Sequence, residues 1–135
     1  WTGGVNAGFT SAPRPWEPLQ PGHERRNVAV QEGDPDSLLS HYRRLIRLRQ
    51  AEPALARGDF RSIDTGRDEV IAWERSHDGR RLLVFSNLSG ERLSGYRLPG
   101  TPPRVTSELL HAARTKDSGE LDLAARTTYV YVVSN

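Results

Sequence analysis

Glu69-Val70-Ile71-Ala72-Trp73-Glu74-Arg75 and Arg81-Leu82-Leu83-Val84-Phe85-Ser86-Asn87, joined through His77-Asp78-Gly79-Arg80, form the stretch that decides the fold. Two runs rich in β-branched and aromatic residues flank an Asp-Gly pair, which suits the two left-handed positions of a tight hairpin turn. The second run is apolar at consecutive positions, so both its faces need cover and it reads as a central strand. Outward from this hairpin the same texture continues, over 60–63 before it and over 91–98, 105–110, 120–124 and 128–133 after it. Seven short strands split by turns, with no second helix, indicate a mainly-β, antiparallel sandwich of the Greek-key type.

The 135 residues support one modest domain with its own core, and hardly two. With 36% hydrophobic residues and a net charge of +2, the chain is not of the disordered class. Its longest apolar runs are about five residues, against the ~20 of a membrane helix. No basic-then-apolar leader is visible, and a cytoplasmic protein is expected. The absence of cysteine excludes disulfide scaffolds, zinc ribbons and thiol catalysis. Methionine is absent too, and the chain opens on Trp1-Thr2-Gly3-Gly4. Either an initiator was removed or this is a piece of a longer protein; the second reading is preferred. The 19 basic residues are interleaved with 17 acidic ones, without a basic stripe or stacking aromatics, so neither nucleic acid nor a membrane is expected as a partner.

Residues 1–33 carry Gly3, Gly4, Gly8, Pro13, Pro15, Pro18, Pro21 and Gly22, a density of breakers that argues against any helix there. The same segment holds Trp1, Phe9, Trp16 and Val28, more apolar surface than a free linker needs. An ordered loop lying against something is expected.

Residues 34–52 read as the one amphipathic helix. Asp34 is placed to cap it, Pro35 suits its first position, Asp36 complements its positive end, and Pro53 stops it. At about 100° per residue, Leu38, Leu39, Tyr42, Leu45, Ile46 and Leu48 cover about half the circumference. So broad an arc suits a helix wedged between two bodies, while Arg43, Arg44 and Arg47 form the opposite, solvated face. Arg49 falls inside the arc. Two readings stand for it: a stem whose head reaches the last helical carbonyls, or a buried guanidinium paired with a carboxylate.

Chemistry is harder to find. None of His23, His41, His77 and His111 sits beside a nucleophile elbow, and no two share metal-ligand spacing on a helix face. Asp117-Ser118-Gly119-Glu120-Leu121-Asp122 lacks the spacing of a calcium loop and reads as a solvated hairpin turn. No metal site and no cofactor are expected. Asn87-Leu88-Ser89 fits a glycosylation sequon, which carries little weight without a secretory signal. The carboxylates show no apolar pairing of the kind an acid/base couple requires, so no catalytic residue is assigned.

Taken in order, Trp1, Asn6-Ala7-Gly8-Phe9-Thr10, Pro15-Trp16, Pro18-Leu19 and Asn27-Val28-Ala29-Val30-Gln31 make a pattern. It continues through Asp34-Pro35-Asp36-Ser37-Leu38, Tyr42-Arg43-Arg44-Leu45-Ile46, Leu48-Arg49, Pro53-Ala54-Leu55 and Gly58-Asp59-Phe60. This resembles the stretch after the last catalytic residues in the α-amylase superfamily, glycoside hydrolase family 13, within it the α-glucosidase and oligo-1,6-glucosidase group. Leu82 to Ser89 resembles the central strand of that family's C-terminal β-domain, and beyond residue 90 only the strand pattern continues.

The resemblance implies that residues 1–57 end a (β/α)8 catalytic barrel, as a loop and its last outer helix, and that 58–135 form the all-β domain after it. It implies a parent enzyme acting on α-glucosidic bonds by a retaining mechanism, whose Asp nucleophile, Glu acid/base and further Asp all lie upstream of Trp1. This chain alone is therefore expected to be inactive. Its partners would be the missing barrel of the same polypeptide and, in the parent only, an α-glucoside. Self-association through the helix is the other fate of the apolar arc. Trp1, Phe9 and Trp16 would run near the barrel mouth, either lining a sugar site or simply packing there. The expected role is a non-catalytic portion that packs on and stabilises the barrel. The alternative is a carbohydrate-binding module, with Trp73, Tyr96, Tyr129 or Tyr131 as an exposed stacking platform.

Overall fold

The computed structural model describes residues 1–100, 104–111 and 120–134. Residues 117–119 of the expected hairpin turn lie outside the described residues. The chain divides into two compact units, Trp1–Leu48 and Arg49–Asn135.

The first unit begins with a 3-10 turn, Val5–Gly8, and continues through α1 (Val28–Glu32) into α2 (Leu38–Ala51). The reading of 1–33 as helix-free is corrected by α1. It occupies the longest window of that region without a breaker, between Gly22 and Gly33, and Asn27 caps it by accepting from Val30 N at 3.0 Å. The start of α2 is corrected as well. Asp34 Oδ1 accepts from Asp36 N at 2.8 Å, closing a local turn ahead of the helix. The cap is the buried Ser37, whose Oγ accepts from Ser40 N at 3.2 Å and donates to Gln31 O at 2.7 Å. No residue of α2 is buried, and Leu38, Tyr42 and Ile46 are 66%, 57% and 53% exposed.

Pro53 does more than stop α2. It is the first residue of a further short helix, α3 (Pro53–Arg57), because a residue without an N–H fits that position. Arg49 reaches neither the carbonyls of its own helix nor a carboxylate. Its guanidinium donates to Leu55 O at 2.7 Å and Ala56 O at 3.4 Å, the open carbonyls of α3. Arg75 donates to Ala54 O at 3.1 Å and Leu55 O at 3.4 Å. Two arginines thus hold an end that five residues could not stabilise alone.

The second unit carries the strands β1 (Asp59–Ile63), β2 (Val70–His77), β3 (Arg80–Asn87), β4 (Leu93–Tyr96), β5 (Arg104–Leu110), β6 (Leu121–Leu123) and β7 (Thr127–Ser134). All pairings are antiparallel, in a five-stranded sheet of order β1-β2-β3-β7-β5 and a two-stranded sheet β4-β6. Because β4 and β6 leave for the second sheet, β3 finds β7 as its neighbour, the crossover of a Greek-key sandwich. Asp78 (φ 46°) and Gly79 (φ 76°) make the two-residue turn between β2 and β3.

The main core lies between the sheets: Leu83, Phe85, Tyr129 and Tyr131 from the larger meet Tyr96, Leu121 and Leu123 of the smaller. On the other face Leu82 and Val132 pack beneath Ala54 of α3. β3 is therefore covered on both sides, which explains its unbroken apolar run. Gly58 is required where α3 passes into β1. A Cβ there would stand 2.5 Å from Ala54 O and 2.7 Å from Ser76 O, both backbone atoms.

Candidate functional site

The first unit contains a hollow of about 1040 Å³, walled mainly by Trp1, Phe9, Pro15, Trp16, Pro18 and Pro21. Its size is that of a small-molecule site, and its walls are largely apolar. The three aromatic residues singled out in the sequence meet around it. Trp1 and Phe9 stand edge to face, with ring centroids 5.1 Å apart, and Trp16 is 96% exposed. These rings offer stacking faces. The described residues around the hollow bring no nucleophile–base pair with them.

Backbone geometry sets this arrangement. Asn6 (φ 52°), Ala7 (φ 53°) and Gly8 (φ 68°) are left-handed in succession and fold the chain back on itself. For two non-glycine residues this costs roughly 1–2 kcal/mol each. Asn6 Nδ2 offsets part of that by donating to Ala12 O at 2.7 Å and Thr10 O at 3.3 Å. Thr2 N donates to Ala7 O at 3.0 Å, and Ala29 N, in the first turn of α1, donates to Trp1 O at 3.1 Å. Asn27 lies on the same hollow, and the sequence reading missed it as a site residue. The available signal was local: an Asn directly ahead of the apolar pair at the start of α1 is a capping residue.

Elsewhere the ionisable groups have structural explanations. Glu74 is buried between Arg81 (2.7 Å) and Arg61 (3.0 Å). Hydrogen bonds and charge from Arg81, then Arg61, outweigh its burial and hold the carboxyl below its usual range. A carboxylate held ionised is unsuited to the task of a general acid. Burial raises the Tyr96 phenol, whose OH donates to Thr65 O at 2.8 Å. Among the described residues, no three His, Asp or Glu side chains gather as a metal site would require.

The exposed platform of Trp73, Tyr96, Tyr129 and Tyr131 does not form. The three tyrosines are core residues: Tyr129 and Tyr131 share the inward face of β7, and Tyr96 of β4 joins the same cluster. Only Trp73 is partly open, its ring stacked at 6.4 Å on Phe60.

The α-amylase catalytic-domain family matches residues 1–58. A probable α-glucosidase of Rhizobium meliloti (strain 1021) is 43% identical over 91 residues, 67% of this chain and 16% of that protein. An oligo-1,6-glucosidase of Parageobacillus thermoglucosidasius is 32% identical over 120 residues, 89% of this chain and 21% of that protein. The solved structure of the trehalulose synthase MutB from Pseudomonas mesoacidophila MX-45 matches with a TM-score of 0.80 at 34% identity, over 97% of this chain and 24% of that one. The chain thus spans about one sixth of the first curated relative and about a quarter of the solved enzyme. No helix among the described residues is long and apolar enough to cross a membrane.

Proposed function

Since the chain belongs to the α-amylase superfamily, as the C-terminal part of an α-glucosidase-like glycoside hydrolase, we propose that it is a non-catalytic portion that packs on and stabilises the catalytic barrel. The parent enzyme cleaves or transfers α-glucosidic bonds by a retaining mechanism, in the cytoplasm. The observation that carries this reading is the arc of α2. Leu38, Tyr42 and Ile46 are more than half exposed on a helix whose sequence falls within the matched catalytic-domain region. Burying side chains of this size is worth about 1.5–3 kcal/mol each.

The test is Leu38→Ser, Tyr42→Ser and Ile46→Ser together in the full-length enzyme. A melting temperature lowered by several degrees, with KM retained, supports packing on the barrel; an unchanged melting temperature refutes it. Cell fractionation tests the location.

Within the same proposal, Trp1, Phe9 and Trp16 contribute aromatic faces to the sugar site of the parent. Each is replaced by Ala in the full-length enzyme. A site role raises KM or lowers kcat for an oligosaccharide at unaltered stability. A packing role lowers the melting temperature and leaves the kinetics in place, and wild-type kinetics in all three variants remove the loop from the site.

A further inference from the structure

We propose that Asn27 is a positioning residue: its side-chain amide fixes where the Trp1 ring stands against Phe9, and so sets the aromatic face that the hollow presents to an α-glucoside. The final step rests on the sugar-site reading of Trp1 given above.

Asn27 is only 3% exposed in a unit whose loop is otherwise mostly open. Its Oδ1 caps α1 through Val30 N at 3.0 Å. That task needs only an oxygen, and Asp or Ser would perform it comparably. The amide nitrogen is what capping leaves unexplained. It donates to His23 O at 2.9 Å and to Glu24 O at 3.0 Å, tying the segment before α1 to the cap.

Both ends of that tie bear on Trp1. On one side, Ala29 N in the capped turn donates to Trp1 O at 3.1 Å. On the other, Gly3 lies against the tied segment so closely that a Cβ on it would stand 3.1 Å from Glu24 O and 3.7 Å from Asn27 Nδ2. Trp1 and its chain neighbours are thus gripped from two surfaces that a single side chain holds in register. An edge-to-face pair at 5.1 Å depends on that register, since a displacement of an ångström changes which atoms touch.

Two substitutions separate the amide from the cap. Asn27→Asp keeps the acceptor for Val30 N but turns a second oxygen toward the two carbonyls. Asn27→Ser keeps a shorter, neutral acceptor and lacks the amide. In the 135-residue chain, NMR follows ring-to-ring contacts between Trp1 and Phe9 and the helical shifts of Val28–Glu32, with the Trp73 indole as a control for the second unit. The expected result is loss of the Trp1–Phe9 contacts in both variants while α1 keeps its helical shifts. Full retention of those contacts overturns the proposal. Where Asn27→Asp loosens the whole first unit, Asn27→Ser decides.

In the full-length enzyme, Asn27→Ser is then expected to raise KM about fivefold with kcat within twofold. A displaced Trp1 with unchanged KM leaves the positioning role standing and refutes instead the placement of Trp1 in the sugar site.

Discussion

Asn87→Ala should be among the costliest single changes in the second unit. Asn87 ends β3, where the chain leaves the five-stranded sheet, and is 1% exposed. Its Nδ2 faces Glu91 O (2.8 Å), Ala124 O (3.1 Å) and Leu123 O (3.2 Å), while Oδ1 accepts from Ser89 Oγ (2.8 Å) and Ser89 N (3.0 Å). One amide therefore joins β3, the loop after it and the end of β6. Truncation removes two donors, each worth about 1 kcal/mol net, and leaves the carbonyl of the buried Leu123 bare at a further ~1–3 kcal/mol. A loss of about 3–5 kcal/mol follows. Asn87→Asp keeps the shape but turns a carboxylate toward three carbonyls, so it should cost at least as much at neutral pH. Urea denaturation followed by tryptophan fluorescence measures both, since Trp73 on β2 pairs directly with Val84 of β3. An Asn87→Ala cost below about 1 kcal/mol, or an Asp variant more stable than the Ala variant, would refute the reasoning. The same burial closes the sequon at Asn87 to a glycan once the domain is folded.

Gly58→Ala puts a methyl group against two fixed backbone carbonyls and should lower the melting temperature of the 135-residue chain by several degrees in a thermal scan; no change would mean that the passage from α3 into β1 relaxes freely. Glu74 titrates below its ordinary value of 4.5, so the stability it contributes is present above that value and drains away as pH falls through the lowered one. Glu74→Gln should therefore destabilise at pH 7 and flatten the pH dependence below about 4.5, as read by denaturation midpoints across pH. The 135-residue chain should not hydrolyse p-nitrophenyl α-glucoside or maltose. Turnover that survives removal of contaminating glucosidase and disappears on mutating one of its own carboxylates would contradict that.

The strands were legible because their signals are local. The Asp78-Gly79 turn, the two-sided apolar run of β3 and the breakers between runs each act within a few residues, and all seven strands stand where those signals put them. The short helices were not legible. α1 and α3 have five residues each, too few to announce themselves by periodicity; α1 leans on the adjacent cap Asn27, and α3 on the guanidinium groups of Arg49, six residues away, and Arg75, on β2. The choice of Ser37 over Asp34 as cap turned on a bond to Gln31 that sequence proximity does not suggest. Tyr129 and Tyr131 alternate with Val130 and Val132, so their shared face was readable, but which face looked inward depended on where β4 and β6 went. The arginine clasp on Glu74 required the cross-strand register. At the candidate site, the resemblance put the loop of Trp1, Phe9 and Trp16 near the barrel mouth, while their meeting around one hollow was not legible, since nothing in their spacing brings them together.

Hydroxyl-radical footprinting of α2 tests the central claim most directly. Leu38, Tyr42 and Ile46 are compared between the 135-residue chain and the full-length enzyme, with oxidation at each read by mass spectrometry. If the arc packs on the barrel, all three oxidise several-fold more slowly in the full-length enzyme than in the isolated chain, while the solvated Arg44 face of the same helix stays equally open. Equal oxidation of the three residues in both proteins contradicts the account.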